Sequence, residues 1–218
     1  SPSLRATLSH VARLRRMGLL GFGILGIGGG IQGMLGYLPL YLRDVGWTEA
    51  AADSVAGSFH LASMALVIPI ALWSDRLGLR RPVLTTAALL TATGIGLLSV
   101  ANGLLVWGAV IMAGMVRDGF MAVFFTTTIE TDSIGPAYAG TATGFVLVFS
   151  GIGGLLAPPL GNNLSSVWAG LPFVFWSGMA LAGLLGIWSA KESRVGPAPE
   201  DGGQFGPVEP LENPSQAA

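Results

Sequence analysis

The stretch GMVRDGFMAV, Gly114 to Val123, sets an arginine beside an aspartate inside a run that is otherwise apolar. A charge at the centre of a bilayer costs roughly 2.5 to 3.5 kcal/mol on insertion scales, so a chain that keeps two there must give them a ligand or a partner. The guanidinium fork of Arg117 suits a carboxylate or a similar oxyanion, with Asp118 orienting it or carrying a coupling proton. A structural ion pair with neighbouring helices is the competing use of the same two residues. Adjacent residues diverge by about 100° around a helix, so one side chain is expected to face the centre and the other to tie to a neighbour. Gln32, flanked by glycines, and Tyr37 are further candidates to hydrogen-bond a ligand, against a purely interhelical role. His60 is a candidate for proton coupling, against local satisfaction. Thr126, Thr127 and Thr128 are expected to bond back to carbonyls of their own helix.

These residues lie in a chain of 218 residues that is 51% hydrophobic and 11% charged, with net charge −1 and mean hydropathy +0.65. Average soluble domains carry about 25% charged residues, so the chain reads as an integral membrane protein. Runs long enough to cross about 30 Å of hydrocarbon cover Met17 to Leu42, Ala52 to Trp73, Pro82 to Ala101, Leu104 to Thr128, Ala139 to Gly161 and Leu171 to Ala190. They are continuous rather than alternating, which predicts helices and not a barrel, hence an all-α bundle of six transmembrane helices.

With the N-terminus cytoplasmic, Arg5, Arg13, Arg15, Arg16, Arg76, Arg80, Arg81, Lys191 and Arg194 share one side. Arg43 falls on the other and Arg117 within the membrane, which accounts for all 11 basic residues. That bias places both ends in the cytoplasm of a plasma or inner membrane. Trp47, Trp107 and Trp168 then mark the outer interface, Trp73 and Trp188 the inner one, and Trp176 lies deeper. Residues 1–16 form a basic segment suited to a helix on anionic lipid, 17–190 the bundle, and 191–218 a tail rich in Pro and Gly that is expected to be disordered. Ser1 in place of methionine, with no signal-peptide pattern, predicts an internal piece of a longer protein.

The chain has no cysteine, which excludes disulfides, thiolate metal sites and cysteine nucleophiles. No phosphate-binding loop, dinucleotide fingerprint, zinc spacing or nucleophile triad occurs, so the expectation is no enzyme activity, no cofactor and no metal. Near-zero net charge gives no reason to expect nucleic acid.

Three segments carry a resemblance; GGGIQGMLGYLPLYLRDVGWT, Gly28 to Thr48, looks like the seventh helix and following loop of the family that the other two resemble. ALWSDRLGLRRPVL, Ala71 to Leu84, is a tight loop with Asp75, Arg76, Gly78, Arg80 and Arg81. It resembles the signature loop of the major facilitator superfamily, with Ala71 replacing its first glycine and Leu79 its first arginine after Gly78. IETDSIGPAYAGTATGFVLVFSGIGGLLAPPLG, Ile129 to Gly161, is similar to that family's link from tenth to eleventh helices, with Glu130, Pro136, Gly140, Ala142 and Gly144 matching and Ala139 where an arginine is common. Polar residues recur in the first and fourth spans, Ser, Gly and Pro in the second and fifth, and the third and sixth carry no charge, which fits a 3+3 repeat.

The resemblance implies the C-terminal six-helix half of a twelve-helix transporter whose N-terminal half is its missing partner. It implies secondary active transport of a small-molecule substrate, an organic or inorganic anion on the strength of Arg117, with H+ as a coupling ion or by exchange. A sugar or drug transporter, and a non-transporting membrane sensor or scaffold, are the alternatives. It also assigns Asp75, Arg76, Gly78, Arg80, Arg81, Glu130 and Asp132 to a cytoplasmic gate, with Arg80 or Arg81 meeting Glu130 or Asp132 and Asp75 turning to the absent half.

Overall fold

A computed structural model describes residues 4–77, 80–131, 134 and 138–190. Gly78, Asp132, Pro136 and the tail 191–218 lie outside the described residues, and so do the expectations placed on them.

The described residues form helices: α1 (Leu4–Arg13), α2 (Arg15–Asp44), α3 (Glu49–Leu77), α4 (Arg80–Leu97), α5 (Leu104–Gly114), α6 (Arg117–Ile129), α7 (Ala139–Asn162) and α8 (Leu171–Ser189). A 3-10 turn, Asn163–Ser166, follows α7. Counting α5 and α6 as one span, five segments are long and apolar enough to cross a membrane. The remaining predicted span, α4, is the shortest of the six at 18 residues and opens on Arg80 and Arg81. Its predicted final turn is instead a tight link, residues 98–103, in which Gly103 takes a positive φ of 53° to start α5.

Packing follows the repeat. The first span, α2, lies against α7 and α8, the second and third of the other unit. The fourth span, α5 with α6, lies against α3 and α4, and α4 meets α8 where the units join. Each unit therefore completes the other, as two related three-helix units must to bury their faces.

Lipid gives helices no hydrophobic drive to associate, so close van der Waals contact holds them and small residues mark the crossings. Any Cβ on Gly153 of α7 would run into the Leu25 carbonyl of α2, and one on Gly26 into the Met179 carbonyl of α8. Trp176 is fully buried between Gly33 and Gly161, with its indole N–H donating to the Ala157 carbonyl at 2.8 Å. That bond explains how the deep tryptophan is satisfied. Ahead of the bundle, α1 packs on α7 and α2, burying Val11 and Thr7 and leaving Leu8 exposed.

The predicted fourth span is not continuous. α5 ends at Gly114 and α6 begins at Arg117, with Met115 and Val116 in a turn. The amide N–H of Asp118 donates to Ser63 Oγ of α3 at 3.0 Å, and Ser63 is fully buried. A side chain inserted into the backbone ladder is one of the recognised causes of a kink.

Candidate functional site

A cavity of about 290 Å³ lies between α2, α6 and α7. Helical spacing presents its walls: Gly28 and Gln32 one turn apart on α2, Arg117 and Met121 on α6, and Ser150 and Gly154 on α7. Ile24, Ile27, Ile31 and Phe120 supply apolar surface. Glycine makes the room. A Cβ on Gly28 would stand 3.3 Å from Ser150 Oγ, and one on Gly154 would touch Gln32 Cγ at 3.5 Å.

Two of the predicted candidates, Arg117 and Gln32, thus meet in one cavity, and Asp118 adjoins it through a 2.7 Å ion pair with Arg117 Nη1. Arg117 lines the cavity and Asp118 does not; the correction to the expectation is that the Asp118 carboxylate ties to Arg117 itself rather than to a neighbouring helix. At the first turn of α6 the long guanidinium folds back onto the adjacent carboxylate, and both side chains remain about a third exposed, 37% and 35%. Gln32 carries no hydrogen bond among the described residues, so its amide is available.

Tyr37 and His60 do not join them. Tyr37 follows Gln32 by five residues, roughly 140° further around α2 after whole turns. It is buried in a ring cluster with Tyr41, Phe173 and Trp176, its hydroxyl donating to the Ala169 carbonyl at 3.4 Å. His60 is exposed on α3, a helix that contributes nothing to the cavity, with its ring edge-on to Phe59. Ser150 and Ser63 were not singled out by the sequence. Ser150 stands beside Gly151 on α7 and its only signal is that small-residue neighbourhood; Ser63 has none. Thr126, Thr127 and Thr128 bond back to Ala122, Val123 and Phe124 at 2.8 to 2.9 Å, in line with expectation.

At the basic end, Arg80 donates from Nε and Nη2 to both oxygens of Glu130, at 3.1 and 2.8 Å, and from Nη1 to Asp75 at 2.8 Å. One guanidinium thereby joins the ends of α3, α4 and α6. The bond to Glu130 foremost, and the one to Asp75, hold Arg80 further above its ordinary pKa against the opposing effect of desolvation. Asp75, expected to turn to an absent half, has a partner in this chain because the α3–α4 reversal returns Arg80 to it five residues later. Arg81 instead donates from Nη2 to the Trp188 carbonyl and lies over that indole at 4.8 Å. Arg76 is exposed in the last turn of α3.

No curated protein matches the chain in sequence. Its fold is similar to that of the Escherichia coli fucose:proton symporter, with a TM-score of 0.74 at 16% identity over 88% of this chain. The chain spans 46% of that protein's length. The model of the Major Facilitator Superfamily matches residues 13–213, and together with six spans in two mutually completing units it establishes that the chain belongs to that family.

Proposed function

We propose that the chain is the C-terminal half of a secondary active transporter that carries a small organic or inorganic anion by alternating access. The observation that carries this reading is the meeting of Arg117, Gln32 and Ser150 in one cavity of about 290 Å³ partway along the spans. That volume is near the lower bound of small-molecule sites, and the N-terminal half would supply the facing wall. It would also cover the exposed apolar faces of α3, with Leu61, Met64 and Ile68, and of α7, with Val148 and Leu155.

Asp118 occupies Arg117. An arriving carboxylate takes its place on the guanidinium, and a proton on Asp118 removes the competing charge. Proton and anion then favour each other at one site, the condition for coupled movement in the same direction. At the cytoplasmic end Arg80 binds Asp75 and Glu130 together, so that α3, α4 and α6 move as one body. Arg76 and Arg81 complete the gating surface there. Tyr37 and His60 receive no substrate contact in this reading.

A second reading has its own support. Because Asp118 neutralises Arg117, the cavity offers guanidinium, amide and hydroxyl groups with little net charge, a set suited to a sugar. The fucose:proton symporter of similar fold takes such a solute. Counterflow in proteoliposomes of the full-length protein, with labelled carboxylates, nitrate-like anions, sugars and cationic drugs, separates the two. Anion uptake lost in Arg117→Ala supports the first, and sugar uptake without anion uptake the second. Anion uptake unchanged in the folded variant refutes the role of Arg117.

A further inference from the structure

The cavity between α2, α6 and α7 has a direction. α2 rises from the basic end, where it opens on Arg15 and Arg16, and meets the cavity first at Ile24 and Ile27 and last at Gln32. α6 runs the opposite way, from Arg117 through Phe120 and Met121 to Glu130, which Arg80 clasps at the basic end. Both helices therefore set their polar group at the end of the cavity away from the basic end and their apolar groups toward it. α7 keeps the same levels: Gly154 stands beside Gln32, and Ser150, one turn nearer the basic end, beside Gly28.

We propose that the carried anion is a monocarboxylate with an apolar body, its carboxylate on Arg117 and Gln32 and its body directed toward the basic end, against Ile24, Ile27, Phe120 and Met121. This rests on the anion reading given under the proposed function and narrows it.

Charge sets the number of carboxylates. Among the described residues Arg117 is the single cation in the lining, and Asp118 already shares it. A second carboxylate on the substrate would lie unpaired against isoleucine, phenylalanine and methionine, and hydroxyls along its body would lose water without gaining partners. Size follows from spacing. Ile24 and Gln32 are eight residues apart, about 12 Å along the helix axis. The cavity of about 290 Å³ holds roughly ten water-sized groups at ~30 Å³ each, and a six-carbon carboxylate with its two oxygens fits within that. Met121 is half-buried and follows Arg117 by one turn, so its flexible thioether stands where the first carbons of the body would pass.

The test is isothermal titration calorimetry of the full-length protein in nanodiscs, with empty nanodiscs subtracted, using three acids of equal chain length. Hexanoate is the apolar monocarboxylate, adipate adds a second carboxylate, and gluconate adds hydroxyls along the body. Hexanoate should bind about tenfold more tightly than either of the others, and Arg117→Ala should abolish its binding. Adipate or gluconate binding as tightly as hexanoate overturns this inference and leaves the anion reading standing. If none of the three binds, or if hexanoate binds a folded Arg117→Ala protein unchanged, both fail together. Met121→Gln puts an amide at the apolar end and should narrow the preference for hexanoate over gluconate; an unchanged preference overturns the placement of the body. Should Met121→Gln fail to fold, the three-acid comparison on the wild type decides alone.

Discussion

Asp118→Asn should raise the affinity of the full-length protein for an anionic substrate. Asp118 Oδ1 accepts from Arg117 Nη1 at 2.7 Å, so an anion that binds Arg117 must displace a charge-assisted hydrogen bond. Two unit charges about 4 Å apart attract by roughly 4 kcal/mol at an effective dielectric of 20. With side chains 37% and 35% exposed, water screens part of that, and about 1.5 to 3 kcal/mol, the usual worth of a hydrogen bond to a charged group, remains. Asparagine keeps the shape and removes the charge, so a carboxylate should bind ~10 to 150 times more tightly. Equilibrium binding of a labelled substrate in nanodiscs measures this. A folded Asp118→Asn protein with unchanged or weaker anion affinity would refute the competition on which the coupling rests.

Three other outcomes follow from named contacts. Ser63→Ala leaves the Asp118 amide without its 3.0 Å acceptor and should destabilise the protein by about 1 to 3 kcal/mol, read as a lower melting temperature; valine at the same place should not rescue it. Gly153→Val drives a side chain into the α2 backbone at Leu25, so thermal unfolding should fall more steeply than for Gly151→Val, where nothing lies within 4 Å; equal losses would contradict the close crossing. His60→Gln changes a side chain that is exposed and outside the cavity lining, and the initial rate of uptake should be unchanged; a severalfold loss in a folded variant would return His60 to the coupling machinery.

What the sequence discloses depends on how costly each residue is when it is not needed. Hydrocarbon penalises any charge, so Arg117 and Asp118 stand out by type alone, and a glutamine among glycines stands out nearly as well. The spans are legible for the same reason, since about 20 apolar residues in a row have few other uses. Ser63 is invisible because a serine in a span costs little, and its bond reaches an amide 55 residues away that only packing brings near. The kink is equally hidden: Gly114 resembles the many glycines that serve crossings. Tyr37 misled because a polar tip on an aromatic ring suits a ligand and a ring cluster alike. Asp75 misled because the reach of Arg80 across a reversal is a property of the loop's path, which residue types do not encode.

The kink and the charged pair share one physical origin, and it lies on α3. Gly114 lets α5 approach the backbone of Phe59, and Gly119 lets α6 approach Ile70, so α3 lies along both halves of the fourth span. Ser63, one turn beyond Phe59, then meets the backbone of that span at Asp118 and takes an N–H that a continuous helix would have bonded internally. A new helix start follows, and its partial positive end favours a carboxylate in the first turn, where Asp118 stands. Arg117, the first residue of that turn, faces the cavity because the kink sets where α6 begins. The position of the guanidinium is therefore controlled by a helix that never touches the cavity. The outward side of α3 is apolar and exposed, at Leu61, Met64 and Ile68.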